Sequence, residues 1–273
     1  MRVLAINDVS CVGKCSLSVT LPIISACGIT CDVLPTALLS THTGGFENYT
    51  FLDLTQEMER ILLRWEKLGL QFDIIYSGYL GNIAQINVVE KIVAKFLTPN
   101  GLFIVDPVMG DGGTLYAGFT SDYVQKMRNL CKRAHFILPN LTEACYLAGV
   151  SYGADITVML KNLKSVCSRP IVTGIVENDC ISVFYIDKNG NTQKYSSQNV
   201  AGFFHGAGDV FASALVGAIA YGKEEETAIR LAADFTSASI RRSAKEVADK
   251  RYGLNFEAEI FSFLKNLNNP LFR

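Results

Sequence analysis

Several features that mark other protein classes are missing from this sequence. There is no Lys/Arg-rich run, and 25 basic against 26 acidic residues leave a formal net charge of −1. A nucleic-acid or anionic-membrane binder would carry a positive footprint instead. No apolar run approaches the ~20 residues of a membrane span. The opening Met1-Arg-Val-Leu-Ala-Ile6 stretch stops at Asn7 and Asp8 and is too short for a signal-peptide core. Histidines number only three, and the eight cysteines contain no Cys-x-x-Cys pair. The Cys11/Cys15 and Cys27/Cys31 spacings find no second pair or nearby histidine to complete a zinc site. Reduced thiols and a cytoplasmic location are therefore expected. Without an internal repeat, low-complexity tract or linker, residues 1–273 are expected to form a single domain. A small molecule is the expected partner, with neither nucleic acid nor membrane.

What is present is an alternation of short β-rich apolar runs with longer segments of helical period, the pattern of an α/β fold on a largely parallel sheet. Val3 to Ile6 reads as the first strand, Cys15 to Cys27 as a helix containing Pro22, and Cys31 to Leu39 as the next strand. Leu54 to Leu68 is amphipathic. Further strands are expected at Phe72–Tyr76, Leu102–Val105, Phe136–Leu138 and Ile171–Thr173. Asp187-Lys-Asn-Gly-Asn191 predicts a turn between two strands, hence an antiparallel hairpin near residues 181–197. Helices follow at about Ala207–Tyr221 and Glu225–Ala244. Open parallel sheets bind ligands at the carboxyl ends of their strands, where Asn7-Asp8, Ser77-Gly78-Tyr79, Asp106-Pro107, Pro139-Asn140 and Thr173-Gly174 fall.

The strongest local signal is His205-Gly-Ala-Gly-Asp209, a glycine-flexible turn feeding an apolar helix. The first N–H groups of such a helix lack intrahelical partners and can cradle a phosphate. Asp209 at the positive end of the helix dipole is expected to stay ionised, with low proton affinity; equally, it could simply cap the helix. Asp106-Pro-Val-Met-Gly-Asp-Gly-Gly-Thr-Leu-Tyr116 is a glycine-rich loop with two carboxylates that could hold a divalent metal near phosphates, or be a surface turn. Asn140 and Glu143 have the spacing of a capping box and could also contribute to a Mg²⁺ site. Ser40-Thr41-His42-Thr43-Gly44 supplies hydroxyls and an imidazole that could recognise a polar heteroaromatic ring. The dinucleotide fingerprint is absent, and Gly13-Lys14-Cys15-Ser16 fails the Walker pattern at Asp8 and Cys15.

In order along the chain, these motifs resemble the ribokinase superfamily and, more narrowly, the pyridoxal (vitamin B6) kinases. Gly206-Ala-Gly-Asp209 is similar to the superfamily's Gly-x-Gly-Asp turn, Asp106–Asp111 to its nucleotide-metal loop, and Asn140-x-x-Glu143 to its Asn-x-x-Glu motif. Ser40–Gly44 and Ser77-Gly-Tyr79 resemble the segments that surround the pyridine ring. The resemblance implies a three-layer α/β/α ribokinase-like fold and transfer of the γ-phosphoryl of ATP to the 5′-hydroxymethyl group of pyridoxal, pyridoxamine or pyridoxine. It implies Asp209 as base and the N–H groups of Gly206, Ala207 and Gly208 around the transferred phosphoryl. Asp106, Asp111, Asn140, Glu143 and Thr173 would serve the nucleotide, with Asp106, Asn140 and Glu143 arranging Mg²⁺; Thr173 could also neighbour a monovalent cation. Asp8, His42, Thr43 and Tyr79 would hold the ring.

Three departures qualify the transfer. Ala207 stands where many relatives have threonine. Leu138 replaces the threonine that would contact an activating K⁺, and Asp8 replaces a serine. A homodimer is expected by the same resemblance. The rival readings are a hydroxymethylpyrimidine kinase of thiamine synthesis and a non-catalytic B6-binding protein on the same fold.

Overall fold

A computed structural model describes residues 1–247 and 249–269. The chain forms two compact units, residues 1–54 with 197–273 and residues 55–196.

The first unit opens with β1 (Arg2–Val12), α1 (Leu17–Ala26), β2 (Thr30–Thr41) and β3 (Phe51–Asp53). Val3, Leu4, Ala5 and Ile6 of β1 are all fully buried. Such a continuous apolar run, with no polar alternation, suits a strand covered on both faces. Each of these larger side chains contributes ~1.5–3 kcal/mol by leaving water. β1 pairs with β2 in parallel, and β3 joins β2 antiparallel. β1 runs six residues beyond the expected end at Ile6, because its register against β2 shifts between Asn7 and Val9 and then resumes. Asp8 sits at that irregularity.

In the second unit come α2 (Thr55–Leu68), β4 (Phe72–Ser77), α3 (Ile83–Phe96), β5 (Leu97–Val105), and the hairpin β6 (Gly110–Asp111) and β7 (Thr114–Leu115). They are followed by α4 (Ser121–Cys131), β8 (Phe136–Ile137), α5 (Leu141–Ala148) and α6 (Ile156–Leu163). β4, β5 and β8 are parallel neighbours in that order, so the residues after each strand emerge on one edge. β9 (Ile171–Glu177), β10 (Cys180–Ile186) and β11 (Thr192–Gln198) make a separate antiparallel sheet. The segment at Ile171 is therefore a strand, as expected, but of the antiparallel sheet and not of the parallel one. It meets the β8 end through the parallel bridges Ile137–Pro170 and Asn140–Thr173, and then pairs antiparallel with β10.

The chain returns to the first unit with α7 (Ala207–Tyr221), α8 (Glu225–Glu246) and α9 (Ile260–Leu267). α7 is apolar almost all round, with Val210 to Ala218 buried. It packs on both α1 and α8, which a helix with an apolar surface on every side requires. Among the described residues no helix is long and apolar enough to cross a membrane. The α/β fold with a mostly parallel sheet and an appended hairpin sheet is as the sequence predicts.

Candidate active site

In the first unit the site is built on the start of α7. Gly206, at φ 78°, caps the helix without any side-chain hydrogen bond. A Cβ on Gly206 would lie 2.2 Å from the backbone oxygen of Lys14, so only glycine allows the turn to approach β1's connection to α1. The Val210 N–H closes the first helical turn on the Gly206 oxygen at 3.0 Å. The N–H groups of Ala207, Gly208 and Asp209 precede that first bond, as an anion cradle requires.

Asp209 begins the helix part-buried. Its carboxylate accepts the side-chain amide of Asn7 at 3.5 Å, and the backbone N–H of Ser16 favours its ionised form as well. Burial pushes its carboxyl up to about 7; the neighbouring Asp8 pushes the same way, and the two donors act against it. This corrects the expectation of low proton affinity. Loss of hydration outweighs the helix dipole, whose influence at a surface terminus is under ~1 kcal/mol.

Asp8 is 5 % exposed. Its oxygens accept the hydroxyls of Ser10, at 3.2 Å, and Ser16. Burial raises its carboxyl above the ordinary value, and the hydroxyl donors oppose that. The carboxylate expected to meet a substrate ring is thus already engaged by its own chain. His42 is buried at the end of β2. Its Nδ1 accepts the Gly44 N–H at 3.1 Å, which fixes the proton on Nε2, and Nε2 donates to the Arg251 oxygen at 2.5 Å. Both nitrogens therefore anchor the loop that presents exposed Thr43.

In the second unit, Tyr79 follows β4 with its ring 6.0 Å from that of Phe119, which stacks on Tyr123 at 4.0 Å. Asp106 follows β5, is 8 % exposed, and gives its N–H to the Ser77 oxygen at 2.8 Å. Asp111 lies in the β6–β7 hairpin and accepts the Gly112 N–H at 2.7 Å. Asn140 and Glu143 form a capping box at the start of α5. Glu143 Oε1 also accepts the Met109 N–H at 3.0 Å, and Asn140 Nδ2 donates to the Gly110 oxygen at 2.8 Å. Burial pushes the Glu143 carboxyl well above the usual range, against three backbone N–H donors. Thr173 gives its N–H to the Pro139 oxygen at 3.0 Å. The parallel strands β5 and β8 thus carry Asp106 and Asn140 to one edge, the Asn140–Thr173 bridge adds Thr173 from β9, and Glu143 pins the loop that leads to Asp111.

Among the described residues no three His, Cys, Asp or Glu side chains gather as a metal cage. Asn140 and Glu143 spend their polar atoms on backbone partners. The donor set fits a Mg²⁺ ion that keeps most of its own waters, which is how that ion usually binds near phosphates. Ser10 and Ser16 are candidate site residues that sequence reasoning missed, and Asn7, placed at the strand end, was given no role there. Ser16 was recoverable in part: it directly precedes the apolar run of α1, where N-cap residues stand.

A family model described as phosphomethylpyrimidine kinase matches residues 21–253. A Bacteroides thetaiotaomicron protein whose structure was solved with pyridoxal is 35% identical, with a TM-score of 0.90 over 98% of this chain and 96% of that one. The pyridoxal kinase from Lactobacillus plantarum is 31% identical, with a TM-score of 0.91 over 97% and 96%. The Bacillus subtilis pyridoxine kinase is 27% identical over 188 residues, which span 64% of this chain and 66% of that protein. The family model covers most of the chain, the Gly206–Asp209 turn included, and the chain belongs to the phosphomethylpyrimidine kinase family.

Proposed function

We propose that the chain phosphorylates the 5′-hydroxymethyl group of a B6 vitamer with ATP. The observation that carries this reading is Asp209, a carboxyl brought to about 7 at the mouth of an N–H cradle. A base is most effective with a pKa near the working pH. The substrate hydroxyl would attack the γ-phosphorus as its bond to ADP breaks, and the hydroxyl proton would pass to Asp209. The transition state is loose, so orientation of the hydroxyl matters more than early deprotonation. The N–H groups of Gly206, Ala207 and Gly208 would meet charge on the transferred phosphoryl.

Bound Mg²⁺ would neutralise phosphate charge, held through water by Asp106, Asn140 and Glu143. Asp111 and Thr173 would flank the nucleotide, and Thr43 and Tyr79 the ring. Solved relatives at 35% and 31% identity, one with pyridoxal and one named pyridoxal kinase, support the ring assignment. Leu138 offers no hydroxyl to K⁺, so little K⁺ activation is expected. We place the enzyme in the cytoplasm as a homodimer.

The family model's own name favours a second reading, phosphorylation of the hydroxymethylpyrimidine precursor of thiamine. Initial rates with Mg-ATP across pyridoxal, pyridoxamine, pyridoxine and the pyrimidine alcohol decide between them. A preference for a vitamer supports the first reading, and a clear preference for the pyrimidine replaces it. No turnover with any of the four would leave only a binding protein.

A further inference from the structure

We propose that Asp8 is a positioning residue for Asp209 and not a ligand of the substrate ring, because its carboxylate holds Ser16 at the end of the turn that packs on Gly206 at the start of α7. The inference rests on the kinase reading above for its catalytic meaning, and on the geometry of the first unit for the rest.

The side-chain amide of Asn7 donates to Asp209 at 3.5 Å, and the backbone N–H of Ser16 acts on the same carboxylate. The backbone of position 8 bears on the first, and the Asp8 side chain on the second. The Asp8 N–H donates to Asn7 Oδ1 at 3.0 Å, which orients that amide with Nδ2 toward Asp209. The Asp8 carboxylate accepts the Ser16 hydroxyl. Ser16 stands at φ 57° and ψ −132°, a backbone conformation in which a residue other than glycine is strained. The side-chain bond to Asp8 holds that conformation and so aims the Ser16 N–H. A second hydroxyl, from Ser10 at 3.2 Å, occupies the other Asp8 oxygen.

Asp8 is also a like charge that acts on Asp209. The titratable groups that face Asp209 are Asp8 from β1 and the Cys15 thiol from the turn into α1; His42, at the end of β2, acts on Asp8. The Cys15 thiol is raised well above its ordinary value by burial and by both carboxylates, so it stays neutral. Removing the Asp8 charge while keeping its hydrogen bonds lowers the proton affinity of Asp209. Removing the side chain frees Ser16 as well.

The test compares Asp8→Ala with Asp8→Asn in the full chain. Asp8→Ala is expected to lower kcat by about tenfold or more while KM for the vitamer stays within about threefold, the signature of an interaction needed in the transition state. Asp8→Asn still offers an acceptor to Ser16 and should restore kcat several-fold over Asp8→Ala, with the acidic limb of its pH–rate profile moved to lower pH. A tenfold rise in KM at unchanged kcat in Asp8→Ala would make Asp8 a ring ligand and overturn the proposal. A carboxylate-carbon NMR titration of Asp209 gives a readout without turnover. Its midpoint should fall in Asp8→Asn, and an unchanged midpoint overturns the proposal even if Asp8→Ala does not fold. Should the wild-type protein phosphorylate no vitamer, the kinase reading fails, while the NMR midpoint still decides whether Asp8 governs Asp209.

Discussion

Asn140 and Glu143 hold each other across the first turn of α5: the Asn140 side chain accepts the Glu143 N–H at 3.0 Å, and the Glu143 carboxylate accepts the Asn140 N–H at 2.9 Å. The second Glu143 oxygen takes the Met109 N–H. One buried carboxylate therefore serves as helix cap and as tether for the loop between β5 and β6. Capping and nucleotide handling are compatible roles here, because one Glu143 oxygen starts α5 while the other tethers the loop that leads to Asp111.

Glu143→Gln should accordingly destabilise the protein as well as affect nucleotide use. An amide turns one acceptor into a donor, which would face either the Met109 or the Asn140 N–H. Leaving such a buried group unsatisfied costs ~1–3 kcal/mol. Urea unfolding should show that loss, and KM for Mg-ATP should rise. Wild-type stability combined with altered Mg²⁺ dependence would instead make Glu143 a metal ligand alone.

Much of this architecture was legible in the sequence, and the exceptions share a cause. α7 starts and stops at the expected residues because Gly206 and Gly222, both in the left-handed region, bracket an apolar run. The 181–197 hairpin was visible through its polar turn. The extension of β1 to Val12 was not, since Asn7 and Asp8 read as the polar end of a strand. They stay inside because Ser10 and Ser16 satisfy Asp8. Position 16 adopts a positive φ that no local residue pattern announces. Likewise, the helix dipole acts on Asp209 locally and with the expected sign, whereas the burial that overrides it and the like charge of Asp8 that adds to it depend on a segment some 200 residues away in the chain.

Gly206→Ala and Gly208→Ala should separate sharply. Alanine at 206 must hold φ near 78° and fit its Cβ against the Lys14 oxygen. The left-handed backbone alone costs ~1–2 kcal/mol, and the clash adds to it. At position 208 an added Cβ meets nothing within 4 Å. Thermal melts should show a clear loss for Gly206→Ala and little change for Gly208→Ala. Equal losses would mean that the cradle's shape does not depend on the close approach to Lys14.

Asp209→Asn should fold, bind ATP and lower kcat by about a hundredfold or more, as loss of a general base does. In the wild-type protein, the rate should fall with decreasing pH through a midpoint near 7. That limb should be missing from the residual activity of Asp209→Asn. A mutant retaining near-wild-type turnover would remove Asp209 from the chemistry.

The same substitution should change stability in a direction opposite to its effect on rate. Asp209 has a folded value of about 7 against 3.8 for the unperturbed group, so between those values the folded state binds more protons than the unfolded one. Linkage then makes the carboxyl's contribution favourable below about pH 4 and progressively lost as pH rises to about 7. At pH 8 the wild-type protein carries a buried, ionised carboxylate next to Asp8, and the neutral amide of Asp209→Asn does not. The mutant should be the more stable of the two at pH 8, by an amount on the order of a few kcal/mol at most, given ~1.4 kcal/mol for every tenfold change in proton affinity. Toward pH 4 the gap should close, since Asp209 is then protonated in the folded protein and nearly as neutral as asparagine. Urea midpoints of both proteins from pH 4 to pH 8 measure this directly. A stability difference that stays constant across that range would show that burial does not raise the proton affinity of Asp209, and the base assignment would lose its physical ground.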